Sequence, residues 1–210
     1  MKNTLLFLTV IGLTTYLFSQ NITPTNKEIC PKCESNKCVF KDDTEKKYCE
    51  VDSEEANCFK DGFAAVKFNN KWGYINIKGE MVIKPEFDEA KDFNESFAVI
   101  KKGNKYGYIN SSGQVIINPQ YDSAEDFHED YAQVIKNSKS GYIDKTGNIK
   151  IKFNYDFAFN FNEGMAAVSI WEDNRKWGYI NKQGLQVIKQ KYDGVQAFHE
   201  GVAAVKIIDK

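Results

Sequence analysis

Apolar residues recur at every second position in short segments after residue 60, which is the period of a β-strand and not that of a helix. Ala64 and Val66 form the first such pair, and Ala98 and Ile100 repeat it further on. Successive side chains of a strand point to opposite faces of a sheet, so each pair marks one buried face. The pattern predicts an all-β fold.

The alternating segments belong to a unit that occurs four times in tandem. The stretch KWGYINIKGEMVIKP at positions 71–85 returns as KYGYINSSGQVIINP at positions 105–119, and two further copies follow. In each copy a polar turn separates the first two apolar runs, and an N-x-x-G or D-x-x-G turn separates the second from the third. Each unit is therefore predicted to be a three-stranded meander followed by a short segment that ends in Phe. The copies centre on Gly73, Gly107, Gly141 and Gly178.

The second strand of every unit is apolar on both faces, as Tyr74 and Ile75 illustrate. One meander cannot cover both faces, so neighbouring units are expected to stack, and the glycine before each Tyr suits a close approach by another backbone or ring. Residues 202–208 supply an extra first strand, which we expect to cap the C-terminal edge of an open array, with Lys206, Asp209 and Lys210 blunting that edge. A small β-propeller is the alternative architecture.

The repeated residues resemble a known family. KWGYIN, the following Gly79, VIKPEFDEA and DF are similar to the WG-repeat family, also called KWG repeats, and the resemblance covers Asp61 to Lys210. Trp72 and Trp177 match the tryptophan of the motif, whereas Tyr and Ser replace it in the second and third copies. The resemblance implies a β-repeat protein of poorly defined function, and it brings no catalytic residues.

The segment from Met1 to Ser19 has the pattern of a secretory signal peptide. Lys2 precedes an apolar run from Leu5 to Phe18, which is short for a membrane span, and Ser19 offers a cleavage point. The mature chain would then begin near Gln20 and have no membrane span. An uncleaved signal anchor is the alternative, and both interpretations predict a secreted, periplasmic or cell-surface protein.

A short Cys-rich segment, residues 20–59, separates the signal from the repeat domain at residues 60–210. It is too poor in aliphatic residues to fold by core burial alone, so in an exported protein disulfides are expected. Two bridges would leave one thiol, which is able to link two chains into a dimer. A zinc site or a redox-active pair based on the CxxC motif is the alternative. The five cysteines are Cys30, Cys33, Cys38, Cys49 and Cys58.

The charge balance argues against nucleic-acid binding. Lys and Arg total 28 against 29 Asp and Glu, and the formal net charge is −1. Arg175 is the only arginine, although recognition of phosphates and bases favours the planar guanidinium group. We expect neither a nucleic-acid partner nor binding to a membrane surface.

Candidate catalytic and metal-binding residues are few. His128 and His199 occupy a repeat position that Asn fills in the other copies, which suits a surface turn better than a ligand or general base. An Asp follows an aromatic residue in each unit, where it suits a turn cap, with a calcium-binding row as the alternative. No catalytic motif occurs, so no enzyme activity, cofactor or metal is expected. The recurring aspartates are Asp88, Asp122, Asp156 and Asp193.

The tryptophans are the candidate ligand-binding residues. Trp171 lies in a hairpin that is longer than its counterparts, where an exposed indole would stack on a sugar ring or a partner protein. Packing of this indole in the core is the alternative. Trp177 and Trp72 hold the Trp position of the repeat. The sequence favours a non-catalytic recognition module that binds a protein or glycan partner at the cell envelope. A structural spacer or envelope scaffold without a dedicated ligand is the alternative.

Overall fold

The computed structural model describes residues 3–9, 29–42, 44–171 and 175–208, and of residues 3–9 it describes only the backbone. These residues form 22 β-strands and no α-helix, which confirms the all-β prediction. This part of the chain accordingly contains no helix that is long and apolar enough to cross a membrane. Residues 1, 2 and 10–19 of the predicted signal peptide lie outside the described ranges.

The strands form six antiparallel sheets. The cap sheet comprises β2 (Cys30–Glu34), β3 (Lys37–Lys41) and β4 (Lys47–Asp52). Sheet 1 comprises β5 (Glu55–Ala56), β6 (Phe63–Phe68), β7 (Lys71–Asn76) and β8 (Met81–Phe87). Sheet 2 comprises β9 (Glu89–Asn94), β10 (Phe97–Lys102), β11 (Lys105–Asn110) and β12 (Val115–Tyr121). Sheet 3 comprises β13 (Ser123–His128), β14 (Tyr131–Lys136), β15 (Lys139–Asp144) and β16 (Ile149–Tyr155). Sheet 4 comprises β17 (Phe157–Ala158), β18 (Met165–Ile170), β19 (Lys176–Asn181) and β20 (Gln186–Tyr192). Sheet 5 comprises β21 (Gly194–Val195), β22 (Val202–Ile208) and β1 (Asn3–Thr9).

The sheets divide between two compact units. The first unit, Leu17–Gln120, holds the cap sheet, sheet 1 and nearly all of sheet 2. The second unit combines Met1–Tyr16 with Tyr121–Lys210 and holds sheets 3, 4 and 5. Within each unit the sheets follow one another in chain order, which fits the predicted open array.

Each complete repeat sheet has four strands. The prediction of a three-stranded meander was therefore one strand short. The segment after each meander pairs with the first strand of the next unit, and Glu89 of β9 thus lies opposite Lys101 of β10. The hairpin between them closes at Glu95 and Ser96, whose φ angles are 49° and 69°. Residues other than Gly, Asn and Asp seldom adopt this left-handed conformation, so the sequence gives little sign of the hairpin.

Two local predictions about the meander are confirmed. In the N-x-x-G turn of sheet 1, the backbone N–H groups of Lys78 and Glu80 donate to Asn76 Oδ1 at 3.0 and 3.1 Å, and the glycine takes a φ of 82°. The glycine before the repeated Tyr lies against another backbone, because a Cβ on Gly73 would be only 2.7 Å from the backbone nitrogen of Pro85. No side chain fits here, where the adjacent strand β8 shifts register and its backbone comes close to β7.

The repeated Tyr joins neighbouring sheets within each unit. Tyr74 is fully buried on β7, and its hydroxyl donates to the carbonyl oxygen of Lys91 on β9 at 2.7 Å. Tyr142 and Tyr179 in the second unit donate in the same way to backbone carbonyls of the following sheet at 2.6 and 2.7 Å. A buried phenol needs such a partner, so the predicted stacking of units combines apolar burial with a hydrogen bond.

The C-terminal strand β22 is not the edge strand that the sequence suggested. β21 pairs with one side of it, and β1 pairs with the other, from Thr9 opposite Val202 to Asn3 opposite Ile208. Lys206, expected to blunt an edge, therefore lies in a central strand. Since β1 falls inside the predicted signal peptide, removal of that peptide would expose this side of β22.

The Cys-rich segment follows the plan of the repeat sheets. Phe40 precedes Tyr74 by one repeat length, both rings are fully buried, and each packs on a Phe ring at a centroid distance of 4.8 or 4.9 Å. Asp42 accepts backbone N–H groups from two and four residues ahead, as Asn76 does. The core of the cap sheet is continuous with that of sheet 1. The segment is thus a terminal unit that covers the open face of the first repeat sheet.

Two disulfides hold this cap sheet. Cys33 and Cys38 lie opposite each other on β2 and β3 and are bonded, and Cys30 is bonded to Cys58 near the start of sheet 1. Cys49 is the free thiol; it is buried, and burial raises its pKa. These pairings correspond to the disulfide interpretation of the segment. Across the described ranges, no group of three or more His, Cys, Asp or Glu side chains is placed to hold a metal ion.

Candidate ligand-binding surface

Sheet 4 and its hairpin carry the exposed aromatic side chains. In the described part of the chain three aromatic residues are exposed, namely Phe157 at 46%, Phe159 at 44% and Trp171 at 52%. The other Phe, Tyr and Trp residues described are buried or half-buried. Contiguous apolar patches on a protein surface often mark interaction sites. The three exposed rings near one another therefore point to a binding surface.

Trp177 joins these rings into a ladder. The ring centroids of Trp171 and Phe157 are 6.0 Å apart, those of Phe157 and Trp177 are 6.1 Å apart, and those of Trp177 and Phe159 are 4.9 Å apart. We call these four residues the aromatic ladder. The guanidinium carbon of Arg175 lies 4.7 Å from the centre of the Trp171 ring, a cation–π contact that helps to orient the indole.

Strand register places the middle of the ladder. Phe157 of β17 lies opposite Ser169 of β18, and Ser169 lies opposite Trp177 of β19. Directly opposed residues share a face of the sheet, so the two rings flank a small side chain that leaves them room. Trp171 begins the lengthened hairpin, where its backbone N–H donates to Asp156 Oδ2 at 2.8 Å.

The recurring aspartates hold hairpins in place. Asp156 accepts hydrogen bonds from the Lys139 ammonium at 2.6 Å and from the backbone N–H of Trp171, and both lower its pKa. Asp88 and Asp193 each accept one lysine ammonium and one backbone N–H in the same way. These contacts support the turn-capping interpretation over the calcium alternative.

The row of sheet 2 that corresponds to Phe–Ser–Trp in sheet 4 is polar and internally paired. Glu89, Lys101 and Tyr106 occupy it in that order. Lys101 forms an ion pair with Glu89 and lies 5.2 Å from the centre of the Tyr106 ring, whose hydroxyl donates to Glu89 at 2.9 Å. Each member of this row therefore has its partners within the sheet.

Of the three predicted tryptophans, the structure brings two together. Trp171 and Trp177 belong to the aromatic ladder, with Phe157 between them. Trp72 lies in the first unit, where it is half-buried and has the Lys67 ammonium 5.9 Å from its ring centre. Trp72 is thus part of a paired row like that of sheet 2.

A groove of about 630 Å³ opens beside Phe159 in the second unit. The first strands of sheets 3, 4 and 5 and the residues after them line it. Gln133 is 6% exposed and donates to Ser140 Oγ at 3.0 Å, and Asn160 Oδ1 is buried without a hydrogen-bond partner among the described residues. The lining includes Glu125, His128, Gln133, Phe159, Asn160 and Gln196.

The two histidines differ in setting. His128 lines this groove, whereas the backbone N–H of His199 closes a tight turn by donating to the carbonyl oxygen of Val202 at 2.8 Å. The surface-turn interpretation therefore describes His199 well. His128 has a place beside a candidate site that the sequence did not indicate.

Reasoning from the sequence missed four residues of this surface: Phe157, Phe159, Gln133 and Asn160. A signal was available, because each of them breaks the repeat. Sheet 2, for example, has Glu89 in the place of Phe157. Departures from a repeat are therefore better pointers to this site than the repeated residues are.

The solved structures that match the chain are distant in sequence. Kluyveromyces lactis Hsv2 with its complete loop 6CD has 10% identity and a TM-score of 0.48, over 77% of this chain and 62% of that one. A form of Hsv2 with this loop replaced has 11% identity and a TM-score of 0.48, with 77% and 65% covered, so the chain spans less than two thirds of either. A streptogramin B lyase has 13% identity and a TM-score of 0.41, with 95% and 78% covered. Similarities of this size carry no argument about function.

The family comparison agrees with the repeats seen in the sheets. The family described as WG containing repeat matches residues 53–72, 72–106, 106–139, 141–170 and 177–210. The first match begins ahead of β5, at the junction between the cap sheet and sheet 1. No curated protein matches the chain. On these five matches, and on the repeated sheets that they cover, the chain belongs to the WG-repeat family.

Proposed function

We propose that this protein is a non-catalytic, exported recognition module that binds a protein or glycan partner at the cell envelope through the aromatic ladder. The observation that carries the proposal is the gathering of the exposed aromatic side chains of the described residues around sheet 4. Aromatic rings supply large contact areas at low conformational cost, and Trp and Tyr commonly dominate binding energy.

The contrast with sheet 2 supports this proposal. There the corresponding row satisfies itself through an ion pair and a cation–π contact. In sheet 4 the row carries no charge, and the exposed Phe157 ring presents apolar surface to solvent. A partner that covers this surface displaces water from it, which favours binding.

Other parts of the proposal rest on different features. Export is supported by the signal-like pattern of residues 1–19 and by two disulfides, which are typical of oxidising compartments. The non-catalytic role rests on the sequence, which has no nucleophile, phosphate-loop or metalloprotease motif.

A pull-down on isolated cell-envelope material tests the proposal with wild type, Trp171→Ala and Leu185→Ala. Leu185 is the matched control, because it is an exposed apolar residue of the same repeat outside the ladder. Wild type and Leu185→Ala should retain the same material, and Trp171→Ala should bind about tenfold more weakly, which corresponds to about 1.4 kcal/mol. Equal retention by all three would show that the ladder is not the contact.

A structural scaffold is the second candidate, and it predicts disulfide-linked multimers through the odd cysteine. Cys49 is buried, with its Sγ 3.7 Å from the point where a Cβ on Gly79 would lie. An intermolecular bond would therefore require the cap sheet to open. A non-reducing gel of the full chain should show a monomer, and a dimer that disappears on reduction would favour the scaffold.

A further inference from the structure

We propose that the groove beside Phe159 binds a neutral saccharide, an inference that rests on the proposed function and names a ligand class for it. Phe159 belongs to both features, since it lines the groove and its ring lies 4.9 Å from that of Trp177. A ligand in the groove would contact the last ring of the aromatic ladder. The groove and the ladder together make one continuous surface of the second unit.

Gln133 is the first reason to expect a polar ligand. It lies opposite Tyr142 in sheet 3, where the corresponding residues of sheets 1 and 4 are Ala65 and Ala167. Its Nε2 donates to Ser140 Oγ at 3.0 Å, and the side chain lines the groove although it is 6% exposed. The frame accepts Ala at this position, and the groove gives a reason for an amide there.

Asn160 is the second reason. It follows the residue whose carbonyl accepts the Tyr142 hydroxyl, and the corresponding residues are Asp92 in sheet 2 and Ala197 in sheet 5. Asp92 accepts a hydrogen bond from Asn57 Nδ2 at 2.8 Å. Asn160 Oδ1 is buried with no such donor in the described ranges. The groove thus contains a buried hydrogen-bond acceptor, Asn160 Oδ1, that a donor group of a ligand would satisfy.

The chemistry of the lining favours a saccharide. Sugar hydroxyls both donate and accept hydrogen bonds, as amide side chains do, and the groove presents the amides of Gln133, Asn160 and Gln196. The exposed ring of Phe159 suits the apolar face of a pyranose. A small-molecule site of this kind combines apolar surface with a few placed polar groups, and a volume of about 630 Å³ is in the usual range.

The charge of the lining favours a neutral ligand. The residues that line the groove include the carboxylate of Glu125 but no lysine or arginine. A phosphate or a uronic acid would meet no opposite fixed charge there, although such ligands are normally held by Arg or Lys. Uncharged hexose or N-acetylhexosamine units fit the hydrogen-bond donors and acceptors of the groove and need no opposite charge.

Calorimetric titration of the full chain with neutral oligosaccharides of hexose and N-acetylhexosamine units tests the inference. The variants Gln133→Ala and Asn160→Ala each install a residue that another sheet carries in the same place, so both are expected to fold. Asn154→Ala removes an exposed amide of β16 and serves as the control. Wild type and Asn154→Ala should bind equally, and the two groove variants should each bind at least about tenfold more weakly.

Three results would overturn the inference: no saccharide binds to wild type, both groove variants bind as wild type does, or neutral peptides occupy the groove in place of sugars. Urea unfolding of each variant shows whether a loss of binding reflects loss of fold. The pull-down with Trp171→Ala separates this inference from the proposed function. If saccharides fail while retention still depends on Trp171, only the inference is wrong; if retention is also independent of Trp171, the proposed function fails too.

Discussion

Sheet 2 and sheet 4 are built on the same frame and carry different chemistry in one cross-strand row. Both have a glycine pressed against a neighbouring backbone and a buried Tyr on the second strand. In sheet 2 the row carries Lys101 between an acidic and an aromatic residue, and the three side chains pair with one another. In sheet 4 the small Ser169 stands between two rings of the aromatic ladder.

The difference separates two kinds of position in the repeat. Positions that recur in every copy build the frame: the glycine lets the adjacent strand of its own sheet come close, and the Tyr hydroxyl reaches a carbonyl of the following sheet. Positions that vary between copies contribute little to the packing of the sheets and accept side chains of different chemistry. The proposed binding surface is made of such positions, so it distinguishes one repeat of the stack from the others.

The cap sheet carries a third version of the same row. Cys33 and Cys38 stand one repeat length before Lys67 and Trp72 and have the same cross-strand register. A disulfide thus stands where sheet 1 has a cation over a ring. The row is covalent at the N-terminal cap, electrostatic in sheets 1 and 2, and aromatic in sheet 4.

The largest expected change in the free energy of unfolding comes from replacing the glycine before the repeated Tyr, which tests whether sheets 2 and 4 share this close backbone approach. A Cβ would lie 2.7 Å from the Pro119 nitrogen in Gly107→Ala and 2.8 Å from the Gln190 nitrogen in Gly178→Ala. Each variant should lower the free energy of unfolding by about 3 to 4 kcal/mol, because a strand has to move. Gly194→Ala, with its nearest neighbour at 3.5 Å, is the control and should change little in urea unfolding. A large loss in one sheet only would mean that the frame is not shared.

Removal of the disulfides is expected to give the next largest losses in the free energy of unfolding. Removing Cys30–Cys58 should lower the free energy of unfolding by about 3.5 kcal/mol and removing Cys33–Cys38 by about 2 kcal/mol, because the closed loops differ in length. The sequence separations are 28 and 5 residues. Urea unfolding of the two paired Cys→Ala variants measures both values. The reverse order would mean that the covalent row stabilises the cap sheet more than the longer loop closure does.

How far the sequence predicts this fold depends on whether a feature is local. The Asn76 turn and the close backbone approach at Gly73 follow from a few neighbouring residues and are found as expected. The first strand of each sheet was missed, because its pairing joins two repeats. The turn at Glu95–Ser96 also lacks Gly or Asn, although the equivalent turns of sheets 1, 4 and 5 carry Gly62, Gly164 and Gly201. The cap sheet was missed as a repeat because Glu45, with a φ of 61°, replaces the glycine of the turn.

The candidate site shows the same limit. Trp171 was identified from its lengthened hairpin, which is a local departure from the repeat. Phe159 and Asn160 also depart from the repeat, but the sequence does not show that they line a groove, because the groove exists only when three successive sheets are stacked. Comparing copies position by position would have singled out Gln133, since an amide among aliphatic residues is visible in the sequence itself.

A pH experiment examines the part of the frame that joins sheets 4 and 5. Burial, together with the nearby Tyr192, raises the pKa of Tyr179 to about 12, whereas an unfolded Tyr titrates near 10. The unfolded chain therefore loses this proton first, so the associated stability is complete below pH 10 and falls as the pH rises toward 12. Wild type should lose about 1 to 2 kcal/mol more than Tyr179→Phe over this interval in urea unfolding. Equal losses would show that Tyr179 does not control the alkaline limit.

The smallest expected effect on stability comes from exchanging the row itself. The double variant Phe157→Glu with Ser169→Lys gives sheet 4 the acid and base that sheet 2 carries. Ser169 is 1% exposed between Phe157 and Trp177, so the new ammonium has to reach solvent through the space that Phe157 leaves. If it pairs there as Lys101 pairs with Glu89 in sheet 2, the urea midpoint should change less than in any variant above and should become sensitive to salt. Retention of envelope material should nevertheless fall at least as far as in Trp171→Ala, since the ladder loses its second ring.

The reverse exchange, Glu89→Phe with Lys101→Ser, places the sheet 4 row in sheet 2 and serves as the counterpart. It should expose a new ring without creating binding, because sheet 2 has neither the lengthened hairpin of Trp171 nor the amides of the groove. Undiminished retention by the sheet 4 variant would place the contact on Trp171 alone and remove the row from the site. Binding gained by the sheet 2 variant would show instead that the row is sufficient, and that any repeat of this frame becomes a recognition surface once its charges are replaced by rings.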